Sequence, residues 1–149
     1  MAPVMNKPLY TVEILRLAAS IPYLRRLDHP QGRAEVRSPT CGSTALVEVT
    51  LDADGRVAAL GQRVEACAFG QASAAVMGAA APGADIADAR QALKELTDWL
   101  DGKGGAPGDW PGLAALAPAR SRRARHGAIL LPFRALVAAI DDAAGRSGK

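Results

Sequence analysis

The chain has 149 residues, the size of one domain, and can bury a core without help from disulfides or a structural metal. Apolar residues make up 49% of it but aromatic residues only 4%, so alanine carries much of the interior, favouring close helix packing over large aromatic surfaces. The net charge of +3 is small and partly local, in the run Arg120, Arg122, Arg123 and Arg125.

That run reads as a solvated basic loop or as a surface for an acidic partner. No aromatic residue interleaves with it, which argues against a stacking platform for nucleic acid. Residues 1–10 contain two prolines and no apolar core of the secretory kind, and no stretch reaches transmembrane length, so neither export nor a membrane is expected. A cytoplasmic location follows, where two cysteines are thiols or ligands more often than a disulfide.

Taken in order, residues 10–20 predict a helix, with Thr11 as its cap, Val12, Leu15 and Ala19 at helical spacing, and Pro22 beyond its end. Residues 21–30 read as a loop. Residues 32–38 predict a strand, with Ala34 and Val36 alternating against Arg33, Glu35 and Arg37. A turn through Pro39, Thr40, Cys41 and Gly42 leads to a second strand over 44–51. There Ala45, Val47, Val49 and Leu51 share one face, and Thr44, Leu46, Glu48 and Thr50 the other. Asp54-Gly55 marks a hairpin, and a third strand runs over about 56–66.

After Cys67 the texture becomes helical. A small-residue helix is predicted over 69–81, and an amphipathic one over 85–101 with Ile86, Ala89, Leu93, Leu96 and Leu100 in phase. A glycine-rich insertion over about 102–112 and a short helical turn at 110–116 follow. The last helix is expected to start near Gly127 or Ile129, to hold Pro132 in its first turn, and to end near Ala144 ahead of an unwound tail at 145–149. Strands first and helices afterwards imply one α+β domain over 1–149: a three-stranded antiparallel sheet covered on one face by the helices over 69–81 and 85–101.

The residues able to do chemistry are few. Cys41 sits in a turn and Cys67 where strand gives way to helix, separated by the span of a hairpin. In a meander, the loop after the first strand and the end of the third lie at the same end, so both thiols can converge. A helix N-terminus would favour a thiolate at Cys67. The alternative for both is the ordinary one, two small buried hydrophobes. His126 reads equally as a polar cap. No nucleotide-binding, serine-hydrolase or zinc-protease pattern is present.

Three stretches carry a resemblance. Ser38-Pro39-Thr40-Cys41-Gly42-Ser43 resembles the P-x-C-G-D turn of the NifU N-terminal/IscU-type family. Ala66-Cys67-Ala68-Phe69-Gly70-Gln71-Ala72-Ser73 resembles the family's second, G-C-x-x-x-x-A-S junction. Pro118-Ala119-Arg120, with His126-Gly127-Ala128-Ile129 after it, resembles the third, a basic loop leading to His-Cys or Lys-Cys. The insertion falls where the SufU-like branch carries one. The chain departs from the family's ligand set twice: Ser43 replaces the aspartate, and Gly127 stands where a third cysteine belongs.

The resemblance implies an IscU/SufU-like fold and a scaffold for iron–sulfur cluster assembly or a sulfur acceptor, a carrier more than an enzyme. Cys41, Cys67 and His126 are then the implied ligands of a transient cluster, iron or zinc, with Cys41 or Cys67 accepting persulfide. The implied partners are a cysteine desulfurase and cluster-acceptor proteins, and the arginine run belongs to their docking surface. Three ligands fall short of the four a [2Fe–2S] cluster takes, and a homo-oligomer is one source of the fourth. Two thiolates, one imidazole and a water suit an open zinc site. The rival implications are a degenerate member acting as a binding or regulatory module, and a zinc-dependent sulfurtransferase.

Overall fold

A computed structural model describes residues 10–39 and 42–147. Helix α1 spans Val12–Ala19, and the Thr11 hydroxyl accepts the Ile14 N–H at 3.1 Å, satisfying one of the donors a helix start leaves open. Strands β1 (Gly32–Arg37), β2 (Thr44–Leu51) and β3 (Val57–Glu65) form an antiparallel sheet in the order β1-β2-β3. Arg37 pairs with Thr44, and Thr44 with Glu65, so the end of β1, the start of β2 and the end of β3 share one edge of the sheet. Between β2 and β3 the Asp52 carboxylate accepts the N–H groups of Asp54 and Arg56, and Gly55 takes the left-handed conformation (φ 78°) that closes the turn.

Helices α2 (Ala68–Ala80), α3 (Ile86–Leu100) and α4 (Arg123–Ser147) complete the domain. Asp85 and Asp88 form a reciprocal capping box at the start of α3. Contrary to the expectation for α3, the helices that cover the sheet are α4, across β1 and β2, and α2, beside β3; α3 packs on the outside of α4. Gly32 makes the α4 contact close. A methyl group there would collide with the carbonyl oxygen of Ala139 and lie 2.6 Å from the Ala143 nitrogen.

The last helix begins before the position expected for it. It starts at Arg123, so Pro132 lies in its interior and the Ala128 carbonyl loses its usual N–H partner. Burial explains why the helix continues through it. Ala128 to Phe133 are buried without interruption, so both sides of the proline are held by packing. The helix also passes Ala144 as far as Ser147, where an unwound tail was expected. The Asp142 carboxylate accepts the Arg33 N–H at 2.9 Å close to that end.

Residues 21–30 are more than a connection. The Tyr23 carbonyl accepts the Gln62 N–H on the free edge of β3, and Arg25 donates to the Leu60 carbonyl. The segment then crosses the outer face of the sheet over Gly61, where a methyl would sit 2.5 Å from the Arg25 carbonyl oxygen. Beneath it Glu48, 1% exposed, accepts the Leu27 N–H at 2.9 Å and the Arg26 guanidinium at 3.0 Å, with Arg33 at 3.5 Å. Both faces of the sheet are therefore covered near β2. Among the described residues no helix is long and apolar enough to cross a membrane.

Candidate metal and sulfur site

Cys67 is the residue that caps α2. Its backbone is extended (φ −65°, ψ 173°), its carbonyl accepts the Gln71 N–H that starts the helix, and its thiol makes no capping hydrogen bond. It is half-buried and unpaired. It follows the end of β3 by two positions, at the sheet edge closed by the β1–β2 turn. In that turn the Ser38 N–H donates to the Ser43 carbonyl at 2.8 Å and the Gly42 N–H to the Ser38 carbonyl at 3.1 Å. Cys41 lies outside the described residues, but the residues flanking it, Pro39 and Gly42, belong to this turn.

The start of α4 reaches the same region through two contacts with α2. Gly70 lies so close that a methyl there would be 3.2 Å from both the Ala128 side chain and its carbonyl oxygen, and 2.6 Å from the Ala66 side chain. Ser73, fully buried, donates its hydroxyl to the Ile129 carbonyl at 2.5 Å. Gly70, at an unspecified position of the second sequence motif, and Ser73, its last residue, thus serve the α2–α4 junction, a role visible only once the partner helix is in place. Cys67 precedes this junction by less than one turn of α2, and His126 precedes it by less than one turn of α4.

His126 sits in the first turn of α4, half-buried, rather than in a loop before the helix. Its Nε2 lies 2.9 Å from the Arg120 carbonyl oxygen and 3.1 Å from that of Ala119. A carbonyl only accepts, so Nε2 is the nitrogen that donates a proton here, and in the neutral ring this leaves the lone pair on Nδ1.

The arginine run divides. Arg122 and Arg123 are exposed and Arg125 is half-buried at the start of α4. Arg120 is committed inward: it donates to the carbonyls of Trp99 (2.8 Å) and Gly104 (2.7 Å) and lies 5.2 Å from the centre of the Trp99 ring. The insertion is likewise packed, with Trp110 donating to the Val76 carbonyl at 3.0 Å and meeting Phe133 edge-on at 5.5 Å. An open groove of about 440 Å³ beside Trp110, lined also by Pro82, Glu95 and Asp109, lies toward the other end of α2 and includes none of the candidate ligands. Among the described residues no three His, Cys, Asp or Glu side chains cluster as a metal site, and Cys41 is outside that set.

No family model and no curated protein matches the sequence. Among solved structures, the N-terminal part of a nitrogen-fixing NifU-like protein from Brucella abortus matches with a TM-score of 0.84 and 31% identity, over 92% of this chain and 95% of that one. The chain belongs to the NifU-like N-terminal family. A protein assigned as an iron–sulfur cluster assembly scaffold for the SUF system, from thermophilic Fervidobacterium islandicum AW-1, matches with a TM-score of 0.80 over 89% of this chain and 96% of that one, at 18% identity. That second likeness is one of fold. It agrees with the three-stranded antiparallel sheet and its helices, the architecture this NifU-like chain shares with both.

Proposed function

We propose that this NifU-like domain is a scaffold or sulfur acceptor in iron–sulfur cluster assembly, and that Cys41, Cys67 and His126 hold its cargo. The observation that supports the reading is the junction of α2 with α4: Cys67 and His126 each precede it by less than one helical turn, and Cys67 follows β3 at the sheet edge where the β1–β2 turn closes. The donor set suits the cargo: sulfur and imidazole select iron, zinc and clusters over magnesium or calcium. The Cys67 thiol has no competing capping bond, and the neutral His126 ring that donates from Nε2 has its lone pair on Nδ1.

Sulfur delivery needs one step at a cysteine. The thiolate of Cys67 or Cys41 attacks the terminal sulfur of a persulfide on a cysteine desulfurase. A new S–S bond forms, the donor's S–S bond breaks, and the donor cysteine departs as thiolate, so electrons and atoms balance without an outside oxidant. The exposed Arg122 and Arg123 are the part of the arginine run open to such a partner or to a cluster acceptor. With two thiolates and no aspartate the site neutralises a cation less well than a full family set, so it passes its cargo on rather than storing it.

The test is anaerobic purification and reconstitution with iron and sulfide or with zinc, followed by desalting, metal counting and visible absorption. Wild type should acquire metal that Cys67→Ser loses. A wild-type protein that binds neither iron nor zinc overturns the scaffold reading in favour of a binding module that has kept the fold alone.

A further inference from the structure

The His126 ring is held by one residue that is itself held from two directions. Arg120 supplies the carbonyl nearest Nε2, at 2.9 Å, while its side chain is fixed to the carbonyls of Trp99 at the end of α3 and Gly104 in the glycine-rich insertion. Its guanidinium also lies over the Trp99 ring. The neighbouring Ala119 carbonyl, 3.1 Å from Nε2, also accepts the Arg122 N–H at 2.9 Å, so it too is fixed in direction. Arg120 thus spends its side chain on geometry although it belongs to a run that reads as surface charge.

We propose that Arg120 is a positioning residue for His126: by clamping the chain before α4 to α3 and the insertion, it aims two carbonyls at Nε2, fixes the Nε2–H tautomer, and leaves Nδ1 as the nitrogen that meets a metal. The proposal rests on the metal-binding reading for its purpose but not for its geometry. A metal-bound histidine usually donates its other ring N–H to a carbonyl or carboxylate, which sets both tautomer and ring direction. Here that outer partner is backbone, and an arginine twenty-one positions from its Trp99 anchor sets its place. The insertion then has a use beyond filling space, since its Gly104 carbonyl is part of the clamp.

The experiment is a long-range proton–nitrogen spectrum of histidine-labelled, metal-free protein at mildly alkaline pH, where a ring is neutral and its two nitrogens report the tautomer. Wild type should show His126 only as Nε2–H. Arg120→Ala should show both tautomers and bind zinc about tenfold more weakly, the lower end of what losing such an outer partner costs. Arg120→Lys, which keeps one donor for the Trp99 or Gly104 carbonyl, should fall between them and covers the case where the alanine variant does not fold. A wild-type ring protonated on Nδ1 or exchanging between forms, or an Arg120 variant that folds and keeps the wild-type tautomer, overturns the proposal. Zinc added to wild type should move the Nδ1 signal and leave Nε2–H in place. A tautomer that depends on Arg120, with an Nδ1 signal that zinc does not move, refutes instead the ligand role of His126.

Discussion

Glu48 carries a carboxylate in the interior of a sheet face that the sequence presents as solvent-facing, and its removal has a calculable cost. Burial pushes the Glu48 carboxyl up; the Arg26 hydrogen bond, the Leu27 N–H and the charges of Arg26 and Arg33 outweigh that and hold it below its ordinary value of 4.5. Glu48→Gln keeps the volume and removes the charge. The amide must then turn an N–H group toward either the arginines or the Leu27 N–H, donor against donor. Arg26 and Arg33 are 66% and 47% exposed, so the Coulomb part of their ion pairs is screened by water; what the substitution costs is the set of hydrogen bonds to the buried Glu48 carboxylate, from Arg26 and from the half-buried Leu27 N–H. The expected loss is about 1.5–3 kcal/mol, or roughly 3–12 °C in Tm for a chain of this size. The sign with pH follows. A carboxyl whose folded value is depressed contributes stability above its unfolded value, and that contribution fades as pH falls through the folded one. Urea unfolding of both proteins should therefore show the full gap near neutrality and a gap that shrinks as pH falls below about 4.5, where the unfolded carboxyl takes up its proton first and the folded one follows at lower pH. A gap that is constant from neutral to acid pH, or smaller than about 0.5 kcal/mol throughout, refutes this account of the outer face.

Two further expectations concern packing and the ligand set. Gly32→Ala places a methyl against the Ala139 carbonyl and the Ala143 nitrogen, so β1 and α4 must separate; a loss of about 3 kcal/mol in denaturant unfolding is expected, and a neutral result would mean that the contact is looser than described. Gly127→Cys combined with Ser43→Asp restores the two family ligands beside His126 and before β2, and the double variant should retain a larger share of its metal after desalting than wild type, measured by metal counting. No gain would place the third-motif alignment in error.

What the sequence conveys well is what short-range physics decides. The alternation at 32–37 and 44–51, the Asp54-Gly55 hairpin, the Thr11 cap and the position of Cys67 at a helix start all depend on neighbours within a few residues. What it conveys poorly depends on distant partners. The segment over 21–30 has no periodicity, and its anchors, Glu48, Leu60 and Gln62, read as ordinary strand residues until the chain folds back over them. Helix α4 is apolar on most sides because the sheet, α2 and α3 all press on it. Pro132 therefore points to a start near Gly127 or Ile129, although Arg123 begins the helix. For the candidate site, the residue types and the sheet edge were readable. The α2–α4 contact through Gly70 and Ser73 and the inward use of Arg120 required the fold itself, because each joins segments far apart in the chain.

The packing of α4 on β1 also orders events during synthesis. Arg33 and Asp142 meet across 109 positions, and the inner face of the sheet has no cover over β1 until α4 has emerged from the ribosome. The three strands and Cys67 are made well before that moment, so a growing chain shows a bare apolar sheet face and a thiol not yet flanked by α4. Contacts this remote form late and slowly. The half-made domain is therefore the stage most in need of protection from oxidation and from pairing with its own copies.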